Sequence, residues 1–170
     1  MWYLKFIFPV LLLTVWSSSL RAQPYQGLPT GEERFESSNK QFEQEVLSLV
    51  NQARKRRGLK PLSLHPELTN AARYHAKDMA TENYFEHDSY DRLANGRKKR
   101  IGSFSDRLRS FSQVNWSGWA ENIAMGHNSP KAVMKSWMTS KGHRVNLLNA
   151  RYRYIGIAYI DGYWVQSFGG

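Results

Sequence analysis

Cysteine is missing from all 170 residues. An exported chain without it forms no disulfides and must hold its fold by burial alone. The same absence excludes a cysteine nucleophile, a thiolate metal site and a lipid-modified cysteine anchor. Long apolar runs are missing too. The longest, Phe6 to Trp16, falls short of the roughly 20 residues that span a bilayer as helix. With Lys5 before it and a short polar tail ending at Ala22, MWYLKFIFPVLLLTVWSSSLRA reads as a secretory signal peptide, residues 1–22. Acidic residues are scarce, 14 against 24 Lys and Arg, and beyond residue 22 the net charge is still +8. Such an excess favours anionic partners and does not choose among polysaccharide, lipid headgroup and nucleic acid. Several reaction signatures are absent as well: no HExxH, no GxSxG, no P-loop and no glycine fingerprint.

What remains is 148 residues, enough for one domain with one core. Residues 23–37, QPYQGLPTGEERFES, lack periodicity and read as a flexible leader, with the domain over 38–170. Ser38 with Gln41 suggests a capping box for a first helix, whose Phe42, Val46, Leu49, Val50 and Ala53 share a face before Gly58 and Pro61. Pro66 opens a second helix with Leu68, Ala72, His75 and Met79 in one stripe. His75 thereby reads as a hydrogen-bonded core residue rather than a ligand. Glu86 to Trp119 is a long polar connection with a short helix around Asp106 to Phe111, and AENIAMG is a strand or extended turn. Ser129 and Pro130 cap and open a third helix carrying Val133 and Trp137. The tail YRYIGIAYIDGYWVQSFG predicts a hairpin turning at Asp161-Gly162, with Gly156 marking a close backbone approach. Helices followed by a helix and antiparallel strands make an α+β layered domain. Two basic blocks stand out: Arg54 to Arg57 at a helix end, suited to its dipole, and Arg97 to Arg100 in a solvated loop. Either block could also hold an acidic glycan.

Three residues at element ends are placed for chemistry: His87 after Tyr84-Phe85, Glu121 in AENIA, and His143 after Gly142. Two imidazoles and a carboxylate suit a zinc site with water in the fourth position, and equally a general acid and base. Ser140, three residues before His143, would complete a Ser140, His143, Glu121 set in the logic of nucleophilic catalysis. No oxyanion-hole sequence accompanies it.

The segments LVNQARKRRGLKPLSLHPELTNAARYHAKDM, YFEH, AENIA, SPKAVMKSWMTSKGHRVNLLN and YIGIAYIDGYWVQSFG follow one another in an order that resembles the bacterial branch of the CAP superfamily. That superfamily, with its SCP-like extracellular domain, takes in the cysteine-rich secretory proteins, antigen 5 and pathogenesis-related proteins. The resemblance runs from about Asn39 to Gly169. It implies a three-layer α-β-α sandwich with a central antiparallel sheet, and a cleft lined by two histidines and acidic residues, matched here by His87, His143 and Glu121. The family's second acid, three positions after the tryptophan of the third helix, is Ser140 in this chain, and Glu86 or Asp88 are candidates to compensate. A divalent metal, zinc or magnesium, is implied at His87, His143 and Glu121, with Asn122 and Asn146 either fixing the rings or serving as turn and cap amides. The implied role is a secreted or periplasmic ligand-binding module. Its partners would be a lipid or sterol, an acidic glycan or other cell-envelope component, or a protein, with peripheral membrane contact. Nucleic acid is not expected, because the aromatic residues fall on core stripes and hairpin faces. The alternative is a Ser/His/Glu-type or metal-assisted hydrolase acting on extracytoplasmic substrates.

Overall fold

In β5 (Tyr154–Ile160) and β6 (Tyr163–Gly169) successive side chains point to opposite faces, and both faces are apolar, so helices must cover both. Ile155, Ile157, Trp164 and Phe168 pack against Val46, Val50 and Ala53 of α1 (Lys40–Lys55) and Val133 and Trp137 of α4 (Pro130–Thr139). On the other face Ala158, Ile160 and Val165 meet Ala72, Ala76 and Met79 of α2 (Pro66–Glu82). The result is the expected three-layer α-β-α sandwich. The structure is a computed structural model that describes residues 26–170; the expected signal peptide lies outside the described residues. The main sheet runs β1-β5-β6-β4, with β4 (Trp119–Met125) at one edge and the two-residue β1 (Ser63–Leu64) parallel to β5 at the other. Its remaining pairs are antiparallel.

Local signals hold at most positions. Asp161 (φ 50°) and Gly162 (φ 85°) make the tight turn between β5 and β6, both with the positive φ that a type I′ turn needs. Ser129 caps α4 by accepting from the Ala132 N–H, and Pro130 and Pro66 begin their helices. The cap of α1 differs from expectation: Asn39, not Ser38, accepts from the Phe42 N–H at 3.1 Å. Ser38 is drawn away by the hairpin, its N–H donating to Tyr159 O at 2.8 Å and its Oγ accepting from the Asp161 N–H at 3.1 Å. Replacing Asn39 by alanine should therefore lower stability by about 1 kcal/mol in urea denaturation, with Ser38→Ala leaving the helix start intact.

Two elements escape a local reading. The long connection contains a hairpin, β2 (Ser89–Arg92) paired with β3 (Lys98–Gly102), before α3 (Phe104–Phe111). Arg92 secures it by donating to Glu82 O and Asn83 O at the end of α2. The basic block Arg97 to Arg100 is thus exposed mostly on a strand rather than in a loop. The second element is α5 (Lys141–Leu147), which turns what reads as an amide-rich turn into a short helix containing His143. Arg144 drives this by donating to Met138 O and Thr139 O, capping α4 from within α5.

Arg54 stands in the last turn of α1 as expected, but apart from the exposed remainder of its block. It is fully buried, and its guanidinium donates to Lys60 O, Leu147 O, Asn149 O and Tyr152 O. The described part of the expected leader, 26–37, lies along the body. The Asp91 carboxylate accepts from the Gly27 N–H at 2.9 Å, and Phe35 rests beside Tyr74 with ring centroids 6.1 Å apart.

Candidate functional site

Edge strand β4 sends Glu121 and Asn122 to opposite sides of the sheet, as the pleat requires. Glu121 enters the layer of α2 and α3, where its side chain is only 2% exposed. There Arg107 meets it, Nη2 to Oε2 at 2.7 Å. The position of Arg107 follows from its helix: Ser103 and Asp106 form a reciprocal capping box, and Arg107, Leu108 and Phe111 share the buried face of α3. The same guanidinium donates to Ser89 Oγ at 2.8 Å and to the His87 carbonyl at 3.2 Å. It therefore fixes both the carboxylate and the chain that carries His87. The His87 ring closes the arrangement, Nδ1 to Glu121 Oε1 at 3.0 Å.

The electrostatics follow from this geometry. Burial works to raise the Glu121 pKa, but Arg107 beside it and the surrounding histidines outweigh that and hold it at about 2, so the carboxylate is ionised. Its hydrogen bond and charge raise the pKa of His87 above the ordinary histidine value, against partial burial. His75 lies 3.8 Å from Glu121 Oε1, yet burial, reinforced by Arg107, pulls its pKa down to about 3. Its contact with the carboxylate is that of a neutral ring, not an ion pair. As expected of a core residue, its Nε2 bonds to Glu86 O at 2.9 Å.

His143 stands on α5, close enough for the charge of His87 to add to burial in lowering its pKa. Its Nδ1 is buried without a hydrogen-bond partner among the described residues. Among the described residues neither Asn122 nor Asn146 hydrogen-bonds to an imidazole. Asn122 Nδ2 donates to His143 O at 3.2 Å and to Gln166 Oε1, while Asn146 Nδ2 donates to Glu121 O and to Asn122 Oδ1 at 2.9 Å. The two amides tie the backbone of α5 to β4, rather than fixing rings.

The expected metal set does not fit this arrangement. Both oxygens of Glu121 are engaged, one by Arg107 and one by His87, so a cation would compete with a guanidinium for a buried carboxylate. Among the described residues no group of three or more His, Cys, Asp or Glu is arranged to hold a metal. Glu86 and Asp88 face cations instead, Lys98 3.8 Å from Glu86 and Arg100 2.6 Å from Asp88. The Ser140, His143, Glu121 set is not assembled either. Ser140 joins α4 to α5, its N–H donating to Ser136 O and its carbonyl accepting from the Arg144 N–H, and its hydroxyl bonds to neither His143 nor Glu121. Arg107 is the site residue that the linear reading missed. Its signal was present: in FSDRLRSF a cation falls on the stripe of Phe104, Leu108 and Phe111, a position that demands a buried partner.

A groove of about 500 Å³, lined in part by Leu47, Leu59 and Pro61, runs along α1 in the opposite layer. No helix of the described residues is long and apolar enough to cross a membrane.

Residues 47–168 match the cysteine-rich secretory protein family, CAP. Among curated proteins, YkwD, an uncharacterised protein of Bacillus subtilis, is 38% identical over 136 residues, covering 79% of this chain and 49% of its own length. The B. subtilis membrane protein YlbC is 30% identical over 158 residues, covering 88% of this chain and 43% of its own. This chain thus spans about half the length of the curated relatives it matches or somewhat less. An extracellular protein of Bacillus anthracis containing a SCP domain superposes with TM-score 0.67 at 32% identity, over 76% of this chain and 40% of that one. An outer surface protein of Borrelia burgdorferi shares the fold, with TM-score 0.64 at 20% identity, over 80% of this chain and 98% of that one.

Proposed function

The chain belongs to the cysteine-rich secretory protein (CAP) family, and on that premise we propose that it is an extracellular binding module that recognises an anionic group of its ligand at His87. The observation that carries this reading is the double engagement of Glu121, by Arg107 on one oxygen and by His87 Nδ1 on the other. A buried carboxylate used in this way orients an imidazole and holds its proton. With Nδ1–H donating to Glu121, Nε2 of a ring whose side chain is 52% exposed is left for the ligand, an N–H donor whenever His87 is protonated. Carboxylate or phosphate groups on a lipid, a glycan or a protein fit that donor. His143, close enough to feel the charge of His87, is the second imidazole of the proposed site.

Metal binding with Glu121 as a ligand is the weaker reading, since a cation would have to compete there with Arg107 and His87 for a buried carboxylate. Covalent catalysis is weaker still, since among the described residues no Ser or Thr hydroxyl hydrogen-bonds to the ring of either histidine. The relatives described as extracellular or outer-surface proteins support placing this chain outside the cytoplasm.

The test is a titration of the histidine ring protons by NMR, with and without inorganic phosphate. His87 should titrate above its ordinary value of 6.5, and Glu121→Gln should bring it down. Because the folded-state pKa is raised, the stabilisation from the His87–Glu121 bond is complete below about 6.5 and is lost as pH rises through the folded value. Phosphate should perturb His87 at pH 6 and lose its effect over the same rise. Stoichiometric perturbation of His87 and His143 by zinc, with none by phosphate, would overturn the proposal.

A further inference from the structure

Two stretches of this chain contain no acid at all. Residues 46–66 hold five Lys and Arg, and residues 122–160 hold six, with no Asp or Glu in either. The fold puts both in the same region. The first includes most of α1 and its exit, and the second includes α4, α5 and the approach to β5, all on the layer away from Glu121. Most acids lie in the other layer, on the 26–37 segment, α2, the β2–β3 hairpin and α3. The sandwich is electrically polarised across its sheet.

The two acid-free stretches meet at a groove of about 220 Å³ lined by Gly58, Leu59, Lys60, Ala150 and Arg153. Buried Arg54 holds the groove together, donating to Lys60 O from one stretch and to Asn149 O and Tyr152 O from the other. Arg153 is held at its rim by a 2.6 Å bond to Ala150 O. Around it Lys55, Arg56, Arg57, Lys60, Arg151 and Arg153 are exposed, and none takes part in an ion pair among the described residues. The dipole of α1 accounts for cations in its last turn but not for Lys60, Arg151 or Arg153, which lie outside any helix. Gathering like charges without acids opposes folding, and a polyanion relieves that opposition.

We propose that this groove and the basic face around it are a docking surface for an acidic polysaccharide, separate from the cleft at His87 and independent of how that cleft is read. Arginine forks and lysine suit repeated carboxylate groups along a hydrated chain. Leu59 is the one large apolar residue lining the groove, so no wedge enters a bilayer. No aromatic residue lines it to stack bases.

Calorimetric titration of the full chain with polygalacturonate at low salt tests this, with uncharged dextran as control. Lys60→Glu/Arg151→Glu/Arg153→Glu should weaken binding by at least about tenfold and flatten its salt dependence. Arg97→Glu/Lys98→Glu/Lys99→Glu, with the same change in net charge, should stay within about twofold of the parent. Thermal melts confirm folding; should the groove triple variant fail to fold, Lys60→Gln/Arg153→Gln should still weaken binding by about threefold. Equal losses in the two triple variants, no binding to polygalacturonate, or tighter groove-dependent binding to phosphatidylglycerol vesicles or single-stranded oligonucleotide would overturn the proposal.

Discussion

Arg107→Met is expected to lower the unfolding free energy by about 3–5 kcal/mol, because it removes one partner of a buried ion pair and leaves the other charge behind. The Glu121 side chain is 2% exposed, and Ser89 Oγ and the His87 carbonyl lose the same donor. The pH dependence identifies the cause. In the parent protein the Glu121 pKa is depressed from 4.5 to about 2, so its contribution is complete above about 4.5 and is lost as pH falls through 2. Without Arg107, burial, already the largest single influence, loses its chief opponent and that pKa rises, so the variant should gain stability relative to the parent as pH falls from 7 to 4. Urea denaturation at both pH values measures this. Adding Glu121→Gln to Arg107→Met should restore part of the loss, the coupling expected of contacting partners. An additive double variant would mean that Arg107 acts only by filling space.

Gly156→Ala should be comparably severe, costing at least about 3 kcal/mol or abolishing folding. A methyl group there would lie 2.0 Å from Leu68 C and 2.1 Å from Leu68 O, so the obstacle is the backbone of α2 rather than a side chain that can swing away. The close approach lets α2 lie flat on β5 and β6, and with it the wall that carries His75. Gly142→Ala is the contrasting case: nothing lies within 4 Å of the added carbon. In α5 that change should be neutral or stabilise by up to about 1 kcal/mol. Thermal unfolding of the two variants separates crowding from a general intolerance of glycine replacement.

The chain alone was enough for most features governed by near neighbours. Apolar spacing located α1 and α2, Ser129 and Pro130 located the start of α4, and Asp161-Gly162 located the hairpin turn, because periodicity, caps and turn conformations depend on a few adjacent residues. The order of those segments carried the layered fold as well, and with it His87, Glu121 and His143 as residues of interest. How those residues are arranged was decided by the tertiary structure. Arg107 reaches Glu121 across 14 residues and His87 reaches it across 34, and no local pattern encodes that convergence. Pleating then sends Asn122 away from Glu121, so that it supports the backbone of α5, while Arg144 makes a helix of what reads as a turn. A carboxylate that in the linear reading could bind a cation is instead neutralised by a buried arginine. Removal from water makes an unpaired charge there too costly, and which partner compensates it depends on what the fold brings within reach.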